Sequence, residues 1–217
     1  MQLKENGQKN LRQNKKNKRF IYLVSPNKIK NGKFYSDLNQ VLSSKKVSFF
    51  QLRLKKESFK NQIYIGKKIK KICKKHKVKF LINDNPVVAK KVNADGCHLG
   101  QKDMKILNAK KILKNKIIGV TCHNSINLAK KAVSNGASYL AFGAFYSSKT
   151  KKTKHKASLK ILSLAKKLTN IPIVAIGGIK DTNYKKLLLN KANFLAISGY
   201  VWNNKKLNPK EAVDKLI

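Results

Sequence analysis

From Phe20 onward the chain alternates between short runs of β-branched and aromatic residues and longer stretches in which apolar positions recur among lysines. The short runs read as strands, at Phe20–Val24, Val47–Leu52, Lys79–Asn83, Gly96–Leu99, Ile117–Thr121, Tyr139–Gly143, Ile173–Ile176 and Phe194–Ser198. Between them the spacing predicts helices. In Phe59–His76, Ile63, Ile69, Ile72 and Cys73 fall near one face. In Ser125–Asn135 the inner face is Ile126, Leu128, Ala129, Ala132 and Val133, and Asn135-Gly136 closes the helix. Further helices are predicted at Ser158–Leu168 and at Asp181–Leu189, the latter capped by Asp181. Eight strand–helix alternations in about 200 residues predict a closed parallel (β/α)8 TIM barrel. The alternative, a doubly wound open sheet, lacks a Gly-x-Gly-x-x-Gly after the first strand. Residues 1–19 are mainly lysine, asparagine and glutamine and read as a flexible basic tail, with 20–217 as the barrel domain.

Composition changes this picture little. Hydrophobic residues make up 41% of the chain, enough for a full core. No run approaches the roughly 18–20 apolar residues a membrane span needs, and the start lacks a secretory apolar segment, so the cytosol is the expected compartment. Three cysteines without CxxC spacing argue against a disulfide framework or a zinc site. Cys122 and His123 are adjacent and would point to opposite faces of a strand. The net charge is +41, yet of 50 basic residues only Arg12, Arg19 and Arg53 are arginine. Lysine is spread over nearly every predicted helix, whereas phosphate clamps and base-reading surfaces favour arginine. The charge therefore reads as compositional bias that attracts phosphorylated small molecules, with no specific nucleic acid or membrane partner.

In a barrel of this kind functional groups come from the C-terminal ends of the strands. Those positions hold Gln51-Leu52-Arg53-Leu54-Lys55, Asn83-Asp84, Gly100-Gln101-Lys102-Asp103, Thr121-Cys122-His123, Ser147-Ser148-Lys149-Thr150-Lys151, Gly177-Gly178 and Ser198-Gly199. Of only nine acids, Asp84 and Asp103 fall just past neighbouring strands. Two carboxylates among many cations suit a hard, oxygen-preferring ion such as Mg²⁺, or they cap the helices that follow. Asp95 reads as a turn residue. Ser148 to Lys151 and Gly177-Gly178 combine hydroxyls, ammonium groups and approachable backbone, as a phosphate cradle requires. His98, inside an apolar strand, reads as packed, while His76 and His155, in lysine runs, read as solvated.

These stretches, in order over residues 20–202, resemble the thiamine-phosphate synthase family. The residues that carry the resemblance are Gln51-Leu52-Arg53-Leu54-Lys55, Ile82-Asn83-Asp84, Asp95 through Asp103, Ser148 through Lys151, Ala175 through Ile179, and Ile197-Ser198. The resemblance implies an aminopyrimidine diphosphate held by Gln51, Leu52, Arg53, Leu54, Lys55, Asn83, Thr121 and Lys151. It implies a thiazole phosphate held by Ser148, Lys149, Thr150, Gly178, Ile197 and Ser198, and Mg²⁺ on Asp84 and Asp103. Arg53, Lys55, Thr121 and Lys151 would carry the reaction, in which diphosphate leaves first and the thiazole nitrogen captures the resulting cation. Thr121 stands where the family usually has serine, and Ala144 to Ser147 replace a stretch that usually contains proline.

Two rival readings remain at this level. A thiazole tautomerase on the same barrel would use His123 and no metal-bound diphosphate, and a non-enzymatic polyanion binder would use the charge alone. The oligomeric state stays open, a homo-oligomer included.

Overall fold

The computed structural model describes residues 20–29, 32–148 and 155–216. The tail 1–19 lies outside them, as do Lys149, Thr150 and Lys151. Eight strands, β1 (Ile21–Val24), β2 (Val47–Leu52), β3 (Lys79–Asn83), β4 (Gly96–Leu99), β5 (Ile117–His123), β6 (Tyr139–Gly143), β7 (Ile173–Ile176) and β8 (Phe194–Ile197), form one closed barrel in sequence order. Every pairing is parallel, and β1 closes the ring on β8 with Ile21 beside Leu195. The helices around it are α1 (Lys33–Ser43), α2 (Phe59–Lys75), α3 (Pro86–Lys91), α4 (Ile106–Leu113), α5 (Ile126–Ser134), α6 (Lys160–Leu168), α7 (Tyr184–Leu189), α8 (Gly199–Trp202) and α9 (Pro209–Asp214).

The strands are apolar throughout because both faces are covered. Side chains alternate across the sheet, so Leu23, Phe50, Phe80 and Leu140 point to the helices while Tyr22, Phe49, Leu81 and Tyr139 fill the barrel. Each ring so buried contributes roughly 1.5–3 kcal/mol. The interior is tight enough to specify a glycine: a Cβ on Gly119 would lie 1.8 Å from Tyr139 Cζ. Local signals set the helix starts. Ser58, Asn85 and Ser125 accept backbone N–H groups of the first turns of α2, α3 and α5, and Asn208 with Glu211 makes a reciprocal capping box on α9.

Three expectations are corrected. Asp181 does not cap α7: that helix begins at Tyr184 after Asn183, and the Asp181 carboxylate accepts the Thr182 N–H instead. Neither Asp84 nor Asp103 is a helix cap, since Asn85 caps α3 and α4 follows Lys105. β5 runs on to His123, with an irregularity that pairs Thr121 with Ala141 and His123 with Phe142 and leaves Cys122 between them. Among the described residues no helix is long and apolar enough to cross a membrane.

Candidate active site

At the C-terminal mouth lies a cavity of about 400 Å³. Its wall brings together Arg53, Thr121, Ser148, Gly178, Ile197 and Ser198, six of the residues singled out in the sequence, with Ser25, Asn27, His123, Ile176 and Tyr200. The loop after β1, whose Ser25 and Asn27 gave no sequence signal, organises one side. Buried Ser25 accepts the Arg53 N–H at 2.9 Å, and its carbonyl accepts the Ser198 hydroxyl at 3.1 Å. Asn27 Oδ1 accepts from Arg53 Nη1 at 2.7 Å and so aims the guanidinium. Burial lowers the pKa of Arg53, the charge of Asp84 opposes that, and the group remains a cation.

On the other side the loops after β6 and β7 are laced together. Phe145 N donates to Ile176 O and Tyr146 N to Gly177 O, both at 3.1 Å. Tyr146 OH reaches Asn183 O at 3.1 Å, and Asn183 Nδ2 reaches Gly178 O at 3.0 Å. The Ala144–Ser147 stretch is thus held without a proline. Gly178 has φ +60°, and a Cβ there would meet Ser147 O at 2.3 Å. Only glycine lets these two backbones approach so closely.

A second cluster stands at the ends of β3 and β4. Lys55 Nζ lies 2.7 Å from Asp84, Asp84 is hydrogen-bonded to Asp103, and Asp103 accepts the Gly100 N–H at 2.6 Å. Burial raises both carboxyls. For Asp84 the hydrogen bonds from Asp103 and Lys55 overcome that and hold it low, whereas Asp103 is left above the usual carboxylate range by burial and its acidic neighbour. Two carboxylates so close repel when both are charged, which a cation between them would relieve. Asp84 holds this place in the left-handed region, at φ 63°, which Asp tolerates better than most residues.

Beneath the mouth runs a buried polar chain that sequence patterning did not suggest, because its tyrosines count as strand-forming apolar residues. Gln51 Nε2 donates to Tyr22 OH at 2.7 Å, and Tyr22 OH lies 2.7 Å from Tyr139 OH. Tyr139 OH is 2.9 Å from His98 Nδ1, and His98 Nε2 is 2.8 Å from Thr121 Oγ1. His98 is therefore part of a network rather than simply packed. Gln51 is buried, Asn83 is half-buried at the end of β3, and neither is on the cavity wall. Leu52 and Leu54 are buried in the strand–helix layer, so only their main chain can serve a ligand.

The remaining histidines need one correction each. His155 is exposed but its ring stacks on His123, with centroids 4.0 Å apart. His76 is half-buried and bonds Asn39 Oδ1 at 2.8 Å. Cys122 is fully buried, while His123 lines the cavity, so the two do not form a catalytic pair. Asp95 does more than turn the chain: its carboxylate accepts Phe80 N and pairs with Lys70 at 2.7 Å.

A closed parallel barrel with cationic, acidic and glycine-lined groups gathered at one mouth defines a (β/α)8-barrel enzyme. The chain belongs to the thiamine monophosphate synthase family, whose model matches residues 21–201. It is 73% identical over 206 residues to a thiamine-phosphate synthase of Pelagibacter ubique, covering 95% of this chain and 100% of that one. It is 39% identical to a thiamine-phosphate synthase of Erythrobacter litoralis, covering 84% and 88%. Among solved structures it resembles thiamine phosphate pyrophosphorylase from Pyrococcus furiosus, with TM-score 0.81, 27% identity, and 92% and 94% of the two chains covered.

Proposed function

We propose that this transferase joins an aminopyrimidine methyl diphosphate to a thiazole phosphate, forming thiamine phosphate and pyrophosphate. The observation that carries the reading is the cluster of Asp84, Asp103 and Lys55 beside Arg53, at the same mouth as the laced loops at Gly178 and the hydroxyl of Ser198. It gives the two anionic ligands separate seats. A tautomerase would have no use for the acid pair.

In this reading Gln51, Asn83 and Thr121 hold the pyrimidine, and the cations Arg53, Lys55 and Lys151 serve its diphosphate. The bond from the methylene carbon to the diphosphate oxygen breaks, its electron pair leaving with the diphosphate, where these cations balance the growing charge. The lone pair of the thiazole nitrogen then forms the new carbon–nitrogen bond. Gly178, Ser148, Ile197 and Ser198, with Lys149 and Thr150, hold the thiazole phosphate. The apolar walls Val24, Ile176, Ala196 and Ile197 keep water from the cation. No enzyme base is needed. Two adjacent carboxylates and no sulfur or imidazole ligand between them fit Mg²⁺, which would be held by Asp84 and Asp103 and, when bound, neutralises the diphosphate as a Lewis acid. The cytosol is the setting that fits such small phosphorylated substrates.

The test is to mix the protein with Mg²⁺ and both substrates and to follow thiamine phosphate and pyrophosphate together. Equal, Mg²⁺-dependent formation of both is expected. Folded protein that binds the thiazole phosphate yet forms neither product would overturn the reading and direct attention to His123.

Two further results are expected. Asp103 must lose its proton to ligate a cation, and its pKa is raised, so Mg²⁺ binding should weaken by about tenfold per pH unit below that raised value. Above it the affinity should level off. Calorimetric titration with pyrophosphate present measures this, and affinity that stays flat down to about pH 4, the ordinary carboxylate value, would remove Asp103 from the site. Gly178→Ala should raise the KM for the thiazole phosphate at least about tenfold, because the added Cβ strains the left-handed backbone and pushes on Ser147 O. The KM for the pyrimidine diphosphate should stay unchanged.

A further inference from the structure

The chain of hydrogen bonds across the barrel interior crosses from β2 through β1, β6 and β4 to β5. We propose that Tyr22, Tyr139 and His98 are positioning residues that fix, through one directed chain of hydrogen bonds, the orientations of Gln51 and Thr121 at its two ends. The inference deepens the reading above and rests on it for its effect on turnover.

The direction follows from counting hydrogens. Gln51 gives Tyr22 an amide N–H, so Tyr22 accepts there and hands its single hydrogen to Tyr139. Tyr139 in turn hands its hydrogen to His98 Nδ1. A neutral imidazole that accepts at Nδ1 carries its hydrogen on Nε2, where it is given to Thr121 Oγ1. The Thr121 hydroxyl hydrogen is then turned toward the cavity that Thr121 lines, and the Gln51 carbonyl oxygen is left to accept. Burial pushes both phenols far above their usual value of about 10, so each stays a neutral donor with one hydrogen to give. The rings cannot drift: Tyr139 stacks on His98 at 5.6 Å and 19°, packs edge-on to Tyr22, and fills the space that Gly119 leaves open.

A structural role alone does not account for this chain. Barrel interiors are ordinarily filled by branched apolar side chains, which incur no cost for burying polar groups. Here polar atoms are buried in an unbroken series that ends at two positions near the reacting groups. Such a series is rigid only when every member is satisfied, and each of these has its partner.

The histidine tautomer tests this directly, by side-chain ¹⁵N resonances of the full chain. Neutral His98 with hydrogen on Nε2 is expected. Tyr139→Phe removes the donor to Nδ1 and should mix the two tautomers, while kcat falls about tenfold and both KM values stay within about twofold. Circular dichroism checks that the variant folds, and should it not, Tyr22→Phe decides by the same two readouts. An Nδ1–H tautomer or an imidazolium in the parent chain would overturn the proposal. So would a variant whose His98 signals and kcat match the parent's. The tautomer is read without turnover, so an inactive chain with Nε2–H would sink the assigned reaction and leave the directed chain standing. Turnover with Nδ1–H would do the reverse.

Discussion

Asp84→Asn is expected to lower Mg²⁺-dependent kcat/KM by about 10³-fold, the largest loss for any single atom exchanged in this site. Removing even the partner of a metal ligand costs about 10–100-fold, and under the proposed reading one of two carboxylate ligands would be lost outright. Asparagine is the informative replacement because it tolerates the left-handed backbone at φ 63° as aspartate does, so the end of β3 keeps its shape. Lys55 loses its anion, but that pair is half exposed and contributes little to stability. The melting temperature should therefore barely move while turnover collapses. Steady-state rates across an Mg²⁺ series measure the effect. Undiminished kcat/KM would mean that the acid pair does not hold the ion.

Gly119→Ala should be nearly the opposite kind of lesion. A methyl group at this position would lie 1.8 Å from Tyr139 Cζ and 2.3 Å from its hydroxyl oxygen, inside the most tightly filled part of the barrel. The ring has nowhere to go, because Tyr22, Phe49 and His98 pack on its other sides. Overpacking of this kind costs about 1–3 kcal/mol or more, and any ring movement also cuts the hydrogen bonds to Tyr22 and His98, at about 1 kcal/mol each. A loss of about 4 kcal/mol in urea unfolding is expected, with residual activity in whatever fraction folds. A stability change under 1 kcal/mol would mean that the interior relaxes more freely than its contacts imply.

The strands were legible because each is buried on both faces and so reads as a continuous apolar run whose length sets its bounds. Five of the helices follow less clearly. α2 and α5 carry long lysine-spaced patterns and serine caps, and both were found within a residue or so. α1, α3, α4, α8 and α9 are short or mixed in pattern and were not anticipated individually. The assignment of Asp181 as a cap failed because a turn through Thr182 and Asn183 intervenes, and Asn183 turns its side chain to Gly178 and Lys180.

At the site, charged and glycine-rich strand ends stand out by position, which is why Arg53, Asp84, Asp103 and Gly178 could be singled out as candidates from the sequence. Ser25, Asn27 and the two tyrosines were not. Their importance lies in which strands close against one another, and no local pattern in Ile21–Asn27 announces that Tyr22 will meet Tyr139, 117 residues away. The hydrogen bonds of His98 escaped notice for the same reason: its partners lie on β5 and β6.

Closure of the ring has a kinetic side. One flank of β1 is satisfied only by β8, and Ser198 reaches back 173 residues to Ser25. Until that last pairing forms, the sheet has two open edges, and Tyr22 on its inner surface is not yet held against Tyr139 across the barrel. Contacts so distant in sequence make for slow folding, and open strand edges invite pairing with other chains. A fragment ending before Phe194 should accumulate as aggregate where the complete ring refolds, so the final strand acts as the seal against self-association.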